Sequence, residues 1–366
     1  MRGLEAVLAL AVLACHAPAP AQSVPPSPGL SISIYDTSAL VDDRRWLDVT
    51  GGELALEHVD PGAQLESLIV EPIGGALRVG ACTRDELPRL DARPDAAPRF
   101  ASAVHCRVAG APGRYLVRVA YVTSGLAYRA QHDIDAVDPE RIAIRSRFAI
   151  ATPAWGERAD VTVLAGQPGA AEPPRELARG TVVLDGSIAV LAAPPHETRG
   201  QLRRVYDRAT YLAESDPEPS AVGHPAVWVW LELADARLAG SLHVHAELPG
   251  EGARDVDVPA ERATREDVTR ALRVPLWIDP ALHGLRQREL DYVAGATLAE
   301  RFSVTVANSG DAAREVWIEE PLRPLRRPRL ERTYGKPAVA GRFVRAKLVV
   351  APTELGRVAF TVAYDD

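Results

Sequence analysis

Lysine, asparagine, cysteine and aromatic residues are scarce in this sequence of 366 residues. Lys336 and Lys347 are the only lysines and Asn308 is the only asparagine, whereas arginine, alanine, glycine and proline are abundant. We interpret this bias as the codon usage of a GC-rich bacterial genome, not as selection for arginine chemistry. The formal net charge of −7 and the pI near 5.8 exclude the basic surface expected of a nucleic-acid-binding protein.

Apolar residues are not scarce, because 47% of the chain is hydrophobic. This share suffices for packed cores and argues against intrinsic disorder. The length predicts about two domains. No apolar run approaches the ~20 residues that a membrane-spanning helix needs.

The N-terminal segment 1–21 is typical of a signal peptide. Arg2 supplies a positive charge, AVLALAVLA (6–14) forms a short apolar region, and APA (19–21) resembles a cleavage site. Cleavage there predicts a mature chain that begins at Gln22, followed by a Pro-rich tether over 22–29.

A lipoprotein signal is the alternative interpretation of the same segment. VLAC (12–15) resembles a lipobox, in which Cys15 would carry a diacyl group and become the first mature residue. Both interpretations predict export from the cytoplasm, and only the second predicts a lipid anchor.

Cysteine usage agrees with export. Cys15 is removed or lipidated under either interpretation, so Cys82 and Cys106 remain as an even pair. In an oxidising compartment this pair is expected to form a disulfide that closes a loop of ~25 residues and contributes ~3 kcal/mol. Two buried free thiols are the alternative. A zinc site is disfavoured because neither cysteine has a CxxC partner.

Short runs of alternating apolar and polar residues recur between Gly-, Pro- and Asp-rich breaks. Their length and period are typical of half-buried antiparallel strands, and they predict a mainly β protein of sandwich-like domains. Clear examples are LSISIY (30–35), YLVRVAYV (115–122), RIAIRSRFAI (141–150), VWVWLEL (227–233), SLHVHAEL (241–248) and FVRAKLVV (343–350). DGS (185–187) indicates a hairpin inside TVVLDGSIAVL (181–191).

Helical patterns are few. RGQLRRVYDRATYLAE (199–214) is the best candidate by length, and TREDVTRAL (264–272) is a shorter one. AGAPGR interrupts two strand-rich regions, so we predict a boundary between Pro112 and Gly113. The predicted domains are an N-terminal β domain over 30–112 and a C-terminal β-rich domain over 113–366.

Three segments, in this order, resemble a bacterial family. They are SISIYDTSALVDDRRWLDVTGGELALEHVDPGAQLESLIVEP (31–72), YVTSGLAYRAQHDIDA (121–136) and TVANSGDAAREVWIEEPL (305–322). They are similar to the opening strands, the entry to the C-terminal domain and a late hairpin of the mucoidy-inhibitor-like family, which contains domain of unknown function 4139. The resemblance implies a β-rich exported protein and brings no established activity.

The sequence also departs from that family. Tyr128 and His132 stand where the family usually has tryptophan and then tyrosine, and TPAWG (152–156) replaces its Asn-x-Ser-Gly turn. The family's central coiled coil is lacking, because no sustained heptad pattern occurs in this chain.

No recognisable catalytic apparatus is present. The G-x-S-x-G, Walker and H-E-x-x-H motifs are absent, and no G-x-G-x-x-G opens a helix after a strand. We therefore predict no catalytic residues and no cofactor. Glu319 and Glu320 cannot form the facing carboxylate pair of a glycosidase, because adjacent strand residues point to opposite faces.

His243 and His245 are the best candidates for metal binding. Two positions apart on a strand, they share a face, so both imidazoles could reach one ion. A third ligand would have to come from elsewhere, such as His224 or His283. A solvent-exposed pair on an edge strand is the alternative, and we favour it.

HDIDAVDPE (132–140) places Asp133, Asp135 and Asp138 close together. A calcium loop needs oxygen ligands at alternating positions and a glycine at its sharp turn, and no glycine follows here. The pattern favours an exposed strand face that ends in a turn.

Trp228 and Trp230 share a strand face and are candidates for a platform that stacks a sugar ring. Tryptophans at this spacing are also typical of a sandwich core, and we favour that interpretation.

These features predict a non-catalytic, envelope-associated protein that is periplasmic, outer-envelope or secreted. Its expected partner is an envelope protein or a surface polysaccharide, bound through a β-sheet face or edge. It would contact a membrane only through a lipid on Cys15. The alternative is a glycosidase-like extracytoplasmic hydrolase whose two carboxylates lie far apart in the sequence.

Overall fold

The structure is a computed structural model of the chain. It describes residues 28–84, 102–138, 140–166, 173–207, 220–234, 238–248, 250–259, 262, 264–265, 271–293, 297–323 and 327–365. Strands make up 74% of the described residues and no α-helix occurs in these ranges, so the predicted mainly β, sandwich-like fold is confirmed. No helix in the described part is long and apolar enough to cross a membrane.

The predicted signal peptide (1–21), the lipidation candidate Cys15 and the tether as far as Ser27 lie outside the described residues. Gly29, the last residue of the predicted tether, already begins the first strand.

The strands are numbered along the chain. The first nine are β1 (Gly29–Ile34), β2 (Ala39–Val49), β3 (Glu53–Val59), β4 (Ile69–Pro72), β5 (Arg78–Arg84), β6 (Ser102–Ala109), β7 (Gly113–Thr123), β8 (Tyr128–Ala136) and β9 (Ile142–Ala151). The next nine are β10 (Ala154–Ala165), β11 (Arg175–Asp185), β12 (Ile188–Ala192), β13 (His196–Thr198), β14 (Gly200–Asp207), β15 (Ser220–Gly223), β16 (Ala226–Leu233), β17 (Ser241–Leu248) and β18 (Gly252–Val258). The last eight are β19 (Thr264–Arg265), β20 (Leu272–Val293), β21 (Thr297–Asn308), β22 (Arg314–Pro321), β23 (Arg327–Tyr334), β24 (Ala338–Ala340), β25 (Phe343–Val350) and β26 (Leu355–Asp365). A 3-10 turn, Leu65–Ser67, precedes β4.

Sheet A joins both predicted domains. Its order is β11-β10-β1-β2-β7-β4, and β1 pairs with β10 in parallel. Strands β1, β2 and β4 precede the boundary predicted between Pro112 and Gly113, whereas β7, β10 and β11 follow it. That boundary therefore falls inside one hydrogen-bonded sheet.

Sheet B is small and carries the disulfide. Its order is β3-β6-β5, and Cys82 lies directly opposite Cys106 on neighbouring antiparallel strands. The two sulfur atoms are 2.07 Å apart, and the Cys106 side chain is fully buried. The predicted Cys82–Cys106 disulfide is confirmed.

Removing this disulfide should destabilise the fold. Because the bond restricts the unfolded chain, replacing both Cys82 and Cys106 with serine is expected to lower the free energy of unfolding by ~3 kcal/mol. Urea unfolding followed by tryptophan fluorescence measures the change, and the reduced wild-type protein is the matched control. Equal urea midpoints for the oxidised and reduced wild-type protein would contradict the prediction.

Sheet C has the order β12-β9-β8-β17-β18, and β13 also pairs with β9. The DGS turn leads into it: Gly186 has φ +84°, and the Ser187 N–H donates to the Asp185 carboxylate at 3.0 Å. The predicted hairpin is nevertheless wrong, because β11 pairs with β10 in sheet A and β12 pairs with β9 in sheet C. The turn connects a strand of sheet A to a strand of sheet C. The alternation of apolar and polar residues predicts each strand but not the sheet in which it pairs.

Sheet D follows the order β23-β26-β21-β20-β16-β14-β22-β25-β24, and β15 and β19 also pair with β20. The helix predicted over 199–214 is wrong in its first half, because Gly200–Asp207 forms β14. Ladder hydrogen bonds to β16 on one side and β22 on the other override its helical spacing. Thr264–Arg265, in the second predicted helix, is strand β19. Residues 208–214 and 266–270 of these predictions lie outside the described residues.

In the described part of the chain, three hydrophobic cores hold the sheets together. The first lies between sheets A and B and reaches one end of sheet C at Phe148 and Ile150. The second lies within sheet D, where the rings of Phe302 and Phe360 stack 5.1 Å apart. The third joins the inner face of sheet C to β16 and β20. Sheet C is thereby fixed on one face, and its other face turns to solvent.

Candidate functional site: a histidine–aspartate face on sheet C

The outward face of sheet C unites two motifs that are distant in the sequence. Strands β8 and β17 run parallel, and their register places Asp133 beside His243 and Asp135 beside His245. Strand residues alternate between faces, so the apolar residues between these positions pack into the third core. The core packing of β8 and β17 therefore sets the position of the polar side chains.

Strand β18 contributes two further carboxylates. Its register places Asp257 opposite His243 and Asp255 opposite His245. Each Asp Oδ1 lies 2.7 Å from the Nδ1 of the histidine that it faces. We call the six side chains the histidine–aspartate face: Asp133, Asp135, His243, His245, Asp255 and Asp257.

Sequence reasoning missed the two β18 aspartates, although a local signal was available. The segment HVHAELPGEGARDVD (243–257) contains two alternating runs around a Pro/Gly turn, which is the pattern of a hairpin. Pairing across that turn would have set Asp255 and Asp257 opposite the histidines.

Arginines of β9 border the face on its other side. Arg145 lies opposite Asp133, and the Arg147 Nη2 lies 2.8 Å from Asp133 Oδ2. With both imidazoles neutral, four carboxylates face two guanidinium groups, and the surface is net negative. With both imidazoles protonated, its charges balance.

Two adjoining open depressions of about 670 and 260 Å³ lie over this surface. Asp133 and His243 line both of them, Asp257 and Arg147 line the larger one, and His245 lines the smaller one. The His243 and His245 side chains are 49% and 43% exposed, so a ligand can reach both rings.

An ion-pair cluster anchors the β17–β18 hairpin to sheet D. At the hairpin tip, the Glu251 carboxylate contacts Arg204 and lies 2.9 Å from Arg314 Nη1. Arg204 and Arg314 also bind Asp279 of β20. Burial would raise the pKa of Asp279, but its hydrogen bonds from Arg204 and the Ala281 N–H hold it below the ordinary value. The hairpin that carries the histidines is therefore fixed at its tip.

The pKa values of His243 and His132, on opposite sides of sheet C, shift in opposite directions. The Asp257 carboxylate, which is hydrogen-bonded to His243, raises the pKa of that imidazole, and Asp255 and Asp133 add to the effect. His132 lies on the buried side, where burial lowers its pKa. Its ring is held by Ser146 Oγ at 2.8 Å and by the Ala239 carbonyl at 3.0 Å, which indicates a structural role.

A third metal ligand does not join the two histidines within the described ranges. Those residues contain no group of three or more His, Cys, Asp or Glu side chains that could hold a metal ion. His283 belongs to β20 of sheet D, and His224 lies just before β16. The Nδ1 atoms of His243 and His245 are each hydrogen-bonded to an aspartate, and both side chains are exposed as expected. The predicted edge position is wrong, because β17 pairs with β8 on one side and with β18 on the other.

The aspartates of 132–140 divide between the strand and its turn. Asp133 and Asp135 lie on the outward face of β8, whereas Asp138 Oδ1 accepts the Glu140 N–H at 2.9 Å in the turn. Asp138 therefore stabilises the turn after β8 and does not share the outward face with Asp133 and Asp135.

The two tryptophans of β16 do not form an exposed platform. Trp230 is 1% exposed, with the Arg273 guanidinium 5.2 Å from its ring centre. Trp228 is half-buried.

Glu319 and Glu320 lie inside sheet D. Glu319 binds Arg273 at 2.8 Å and Arg345 at 2.9 Å, whereas Glu320 binds Arg286 at 2.8 Å. Both carboxylates are buried within these ion pairs. They contribute to the interior and not to a solvent-accessible site.

One buried carboxyl in sheet A has a raised pKa. Burial raises the pKa of Asp43 to about 6, although Arg45 opposes the shift from 3.2 Å away. Glu157 and Asp42 add to it by charge repulsion. Asp43 is 8% exposed and belongs to β2, so it is not part of the histidine–aspartate face.

Asp43 predicts a loss of stability as pH rises. With a folded pKa of about 6 and an ordinary value of 3.8, its stabilising contribution is complete below about pH 4 and is lost as the pH rises through about 6. The difference corresponds to about 3 kcal/mol. Asp43→Asn should therefore gain about that much relative to the wild type across this window, measured by urea unfolding at several pH values. Asp48→Asn, at an exposed position of the same strand, is the control and should follow the wild type; identical pH profiles for all three proteins would contradict the prediction.

The fold and the face define the class of molecule: a disulfide-linked, mainly β protein with an exposed polar sheet face. No model of a known protein family matches the chain, and no curated protein matches it.

Proposed function

We propose that this chain is an exported, envelope-associated protein that binds a partner without catalysis through the outward face of sheet C. The observation that carries the proposal is the convergence of Asp133, His243 and Asp257 from three neighbouring strands beneath one open depression. A rigid sheet that presents alternating polar side chains to solvent is suited to recognition by shape and charge.

Export is supported by the N-terminal sequence and by the disulfide. The bond between Cys82 and Cys106 would persist in the periplasm or outside the cell, whereas a reducing bacterial cytoplasm disfavours it. The resemblance of 31–72 to the mucoidy-inhibitor-like family agrees with an envelope location. We expect mass spectrometry of the envelope or secreted fraction to find a mature chain that begins at Gln22. An acylated Cys15 would show the lipoprotein alternative, and an intact Met1 would contradict export.

The contacts of the face favour binding over nucleophilic catalysis. Ser241 shares the face with His243, but its hydroxyl is directed to the Ala130 carbonyl at 3.5 Å. The His243 Nε2 lies 3.9 Å from Asp255 Oδ1, so this ring atom turns towards β18. This arrangement differs from a Ser–His–Asp relay, in which the histidine bonds the nucleophile.

Site-specific photo-crosslinking in the native host tests the proposed face. A photoreactive residue at Gln131 or Ser241 should give a discrete adduct, because both positions line the larger depression. The same residue at Thr181, exposed on sheet A, is the control and should give none. The adduct should be lost when Asp133 and Asp257 are both replaced by asparagine. Equal yields from Gln131 and Thr181, or no adduct from either face position, would contradict the proposal.

The glycosidase-like alternative has one observation in its favour. Asp133 and Asp257 flank His243 in a single row, and the strand spacing sets their Cα atoms about 10 Å apart. A facing carboxylate pair with room for a water molecule is what an inverting glycosidase requires. Release of reducing sugar from an envelope polysaccharide, abolished by either Asp133→Asn or Asp257→Asn, would establish this alternative. Adducts from the face without any such release would favour the binding function.

A further inference from the structure

Strand β18 ends sheet C and offers one side of its backbone. Among the described residues it pairs only with β17, through a register without a bulge from Leu242 to Leu248. Residues Gly252–Val258 are exposed except for half-buried Val256 and buried Val258. An end strand of this kind has main-chain N–H and C=O groups directed away from its sheet, and these can hydrogen-bond an added strand.

Three of the other end strands, β23, β4 and β3, carry features that hinder such pairing. Strand β23 contains Pro328 and β4 ends at Pro72, and proline cannot donate a ladder hydrogen bond. Strand β3 has an irregular register near His58, whose φ is +58°. Strand β18 contains neither a proline nor a bulge, so it is a more regular template than these three strands.

The side chains of β18 select the kind of strand that can be added. Asp255 and Asp257 lie on the outward face, with side chains 63% and 88% exposed. They are two residues apart, which sets them about 7 Å from each other along the strand. On the inner face, Val256 packs into the third core and Arg254 lies 5.0 Å from the Trp277 ring centre. The side chains on the outward face of β18 are therefore acidic, whereas those on its inner face are already packed against the rest of the protein.

Charge also argues against a second copy of this chain as the added strand. Antiparallel pairing of β18 with itself would set Asp255 and Asp257 near their own copies, and like charges on neighbouring strands repel. A strand with lysine or arginine at alternate positions would instead place cations beside both carboxylates.

We propose that an extended basic segment of a partner protein adds to sheet C beside β18, with alternate cationic side chains against Asp255 and Asp257. This inference rests on the proposed function and names the partner's chemistry. Main-chain hydrogen bonds to β18 would hold the added segment as a strand. The two carboxylates would select cationic side chains and set the register of the segment along β18.

Peptide binding to the purified mature protein tests the inference. The probe is a fluorescent peptide with lysine at alternate positions and valine between them, followed by fluorescence anisotropy. A matched peptide with glutamate in place of lysine should not bind. A lysine peptide with N-methylated backbone amides should also fail, because it cannot form the ladder. Equal binding of the lysine and glutamate peptides would overturn the charge argument, and equal binding of the N-methylated peptide would overturn strand addition.

Variants locate the interaction on β18. Replacing Asp255 and Asp257 with asparagine keeps the side-chain shape and should weaken binding of the lysine peptide by about tenfold or more. Replacing Glu53 and Glu57 with glutamine makes the same change in net charge on β3, the end strand of sheet B, and should leave binding unchanged. Equal losses from both double variants would overturn the inference. A partner crosslinked from Ser241 together with no binding of the lysine peptide would overturn the inference alone and leave the proposed function standing.

Discussion

Replacing Trp230 with alanine is expected to lower the free energy of unfolding by about 3–5 kcal/mol. The side chain is 1% exposed, so truncation removes a large buried surface and leaves a cavity within sheet D. The Arg273 guanidinium over the ring would also lose its aromatic contact in a desolvated setting. Urea unfolding followed by far-ultraviolet circular dichroism measures the change without relying on the tryptophan signal.

Trp46 provides the matched control for this prediction. Its side chain is 48% exposed on β2, where Arg114 lies 5.8 Å from the ring centre. Trp46→Ala should shift the free energy of unfolding by only about 0.5 kcal/mol. Similar losses at both positions would show that Trp230 does not occupy a tightly packed interior.

Replacing Glu319 with alanine should cost about 3–5 kcal/mol, because it leaves buried cations without their shared carboxylate. Glu319 is 1% exposed and binds Arg273 at 2.8 Å and Arg345 at 2.9 Å. Burial lowers the pKa of Arg345, which shows that the interior disfavours its charge. Glu232 lies 3.1 Å from Arg273 and would remain to offset part of the positive charge.

A double-mutant cycle distinguishes loss of charge balance from loss of packing. Glu319→Met combined with Arg345→Met removes both members of this ion pair, while Arg273 keeps its contact with Glu232. The double variant should be less destabilised than the sum of the single replacements. The exposed pair of Glu289 and Arg301, 2.9 Å apart, is the control, and Glu289→Ala should cost at most about 1 kcal/mol. Additive effects at Glu319 and Arg345 would contradict coupling within the network.

The candidate site shows how far sequence patterns reach. The spacing of His243 and His245 predicts a shared strand face, and the same holds for Asp133 and Asp135. Each motif, taken alone, supports only an exposed pair. The two motifs lie side by side only because β8 and β17 pair in parallel. No local sequence pattern predicts this pairing, because long segments separate the two strands in the chain.

In two segments the local sequence pattern predicted a structure that differs from the observed one. The segment 199–214 has the length and spacing of a helix, yet Gly200–Asp207 lies between two strands of sheet D. The DGS turn forms as its residues dictate, but the strands on either side pair with different sheets. In both cases local conformation competes with burial against distant partners, and burial decides the outcome.

The sequence by itself determined the mainly β character, most strand positions and, within those strands, the face on which the side chains lie, because alternation with period two is a local property of extended backbone. It also indicated the Cys82–Cys106 disulfide, because these two cysteines remain as a pair once Cys15 is removed or lipidated. Only the tertiary structure decided which strands pair, including the parallel contacts β1–β10, β8–β17 and β14–β22. Those choices depend on which apolar faces meet across long stretches of chain, so they placed Asp133, His243 and Asp257 in one row and enclosed Trp230 and Glu319.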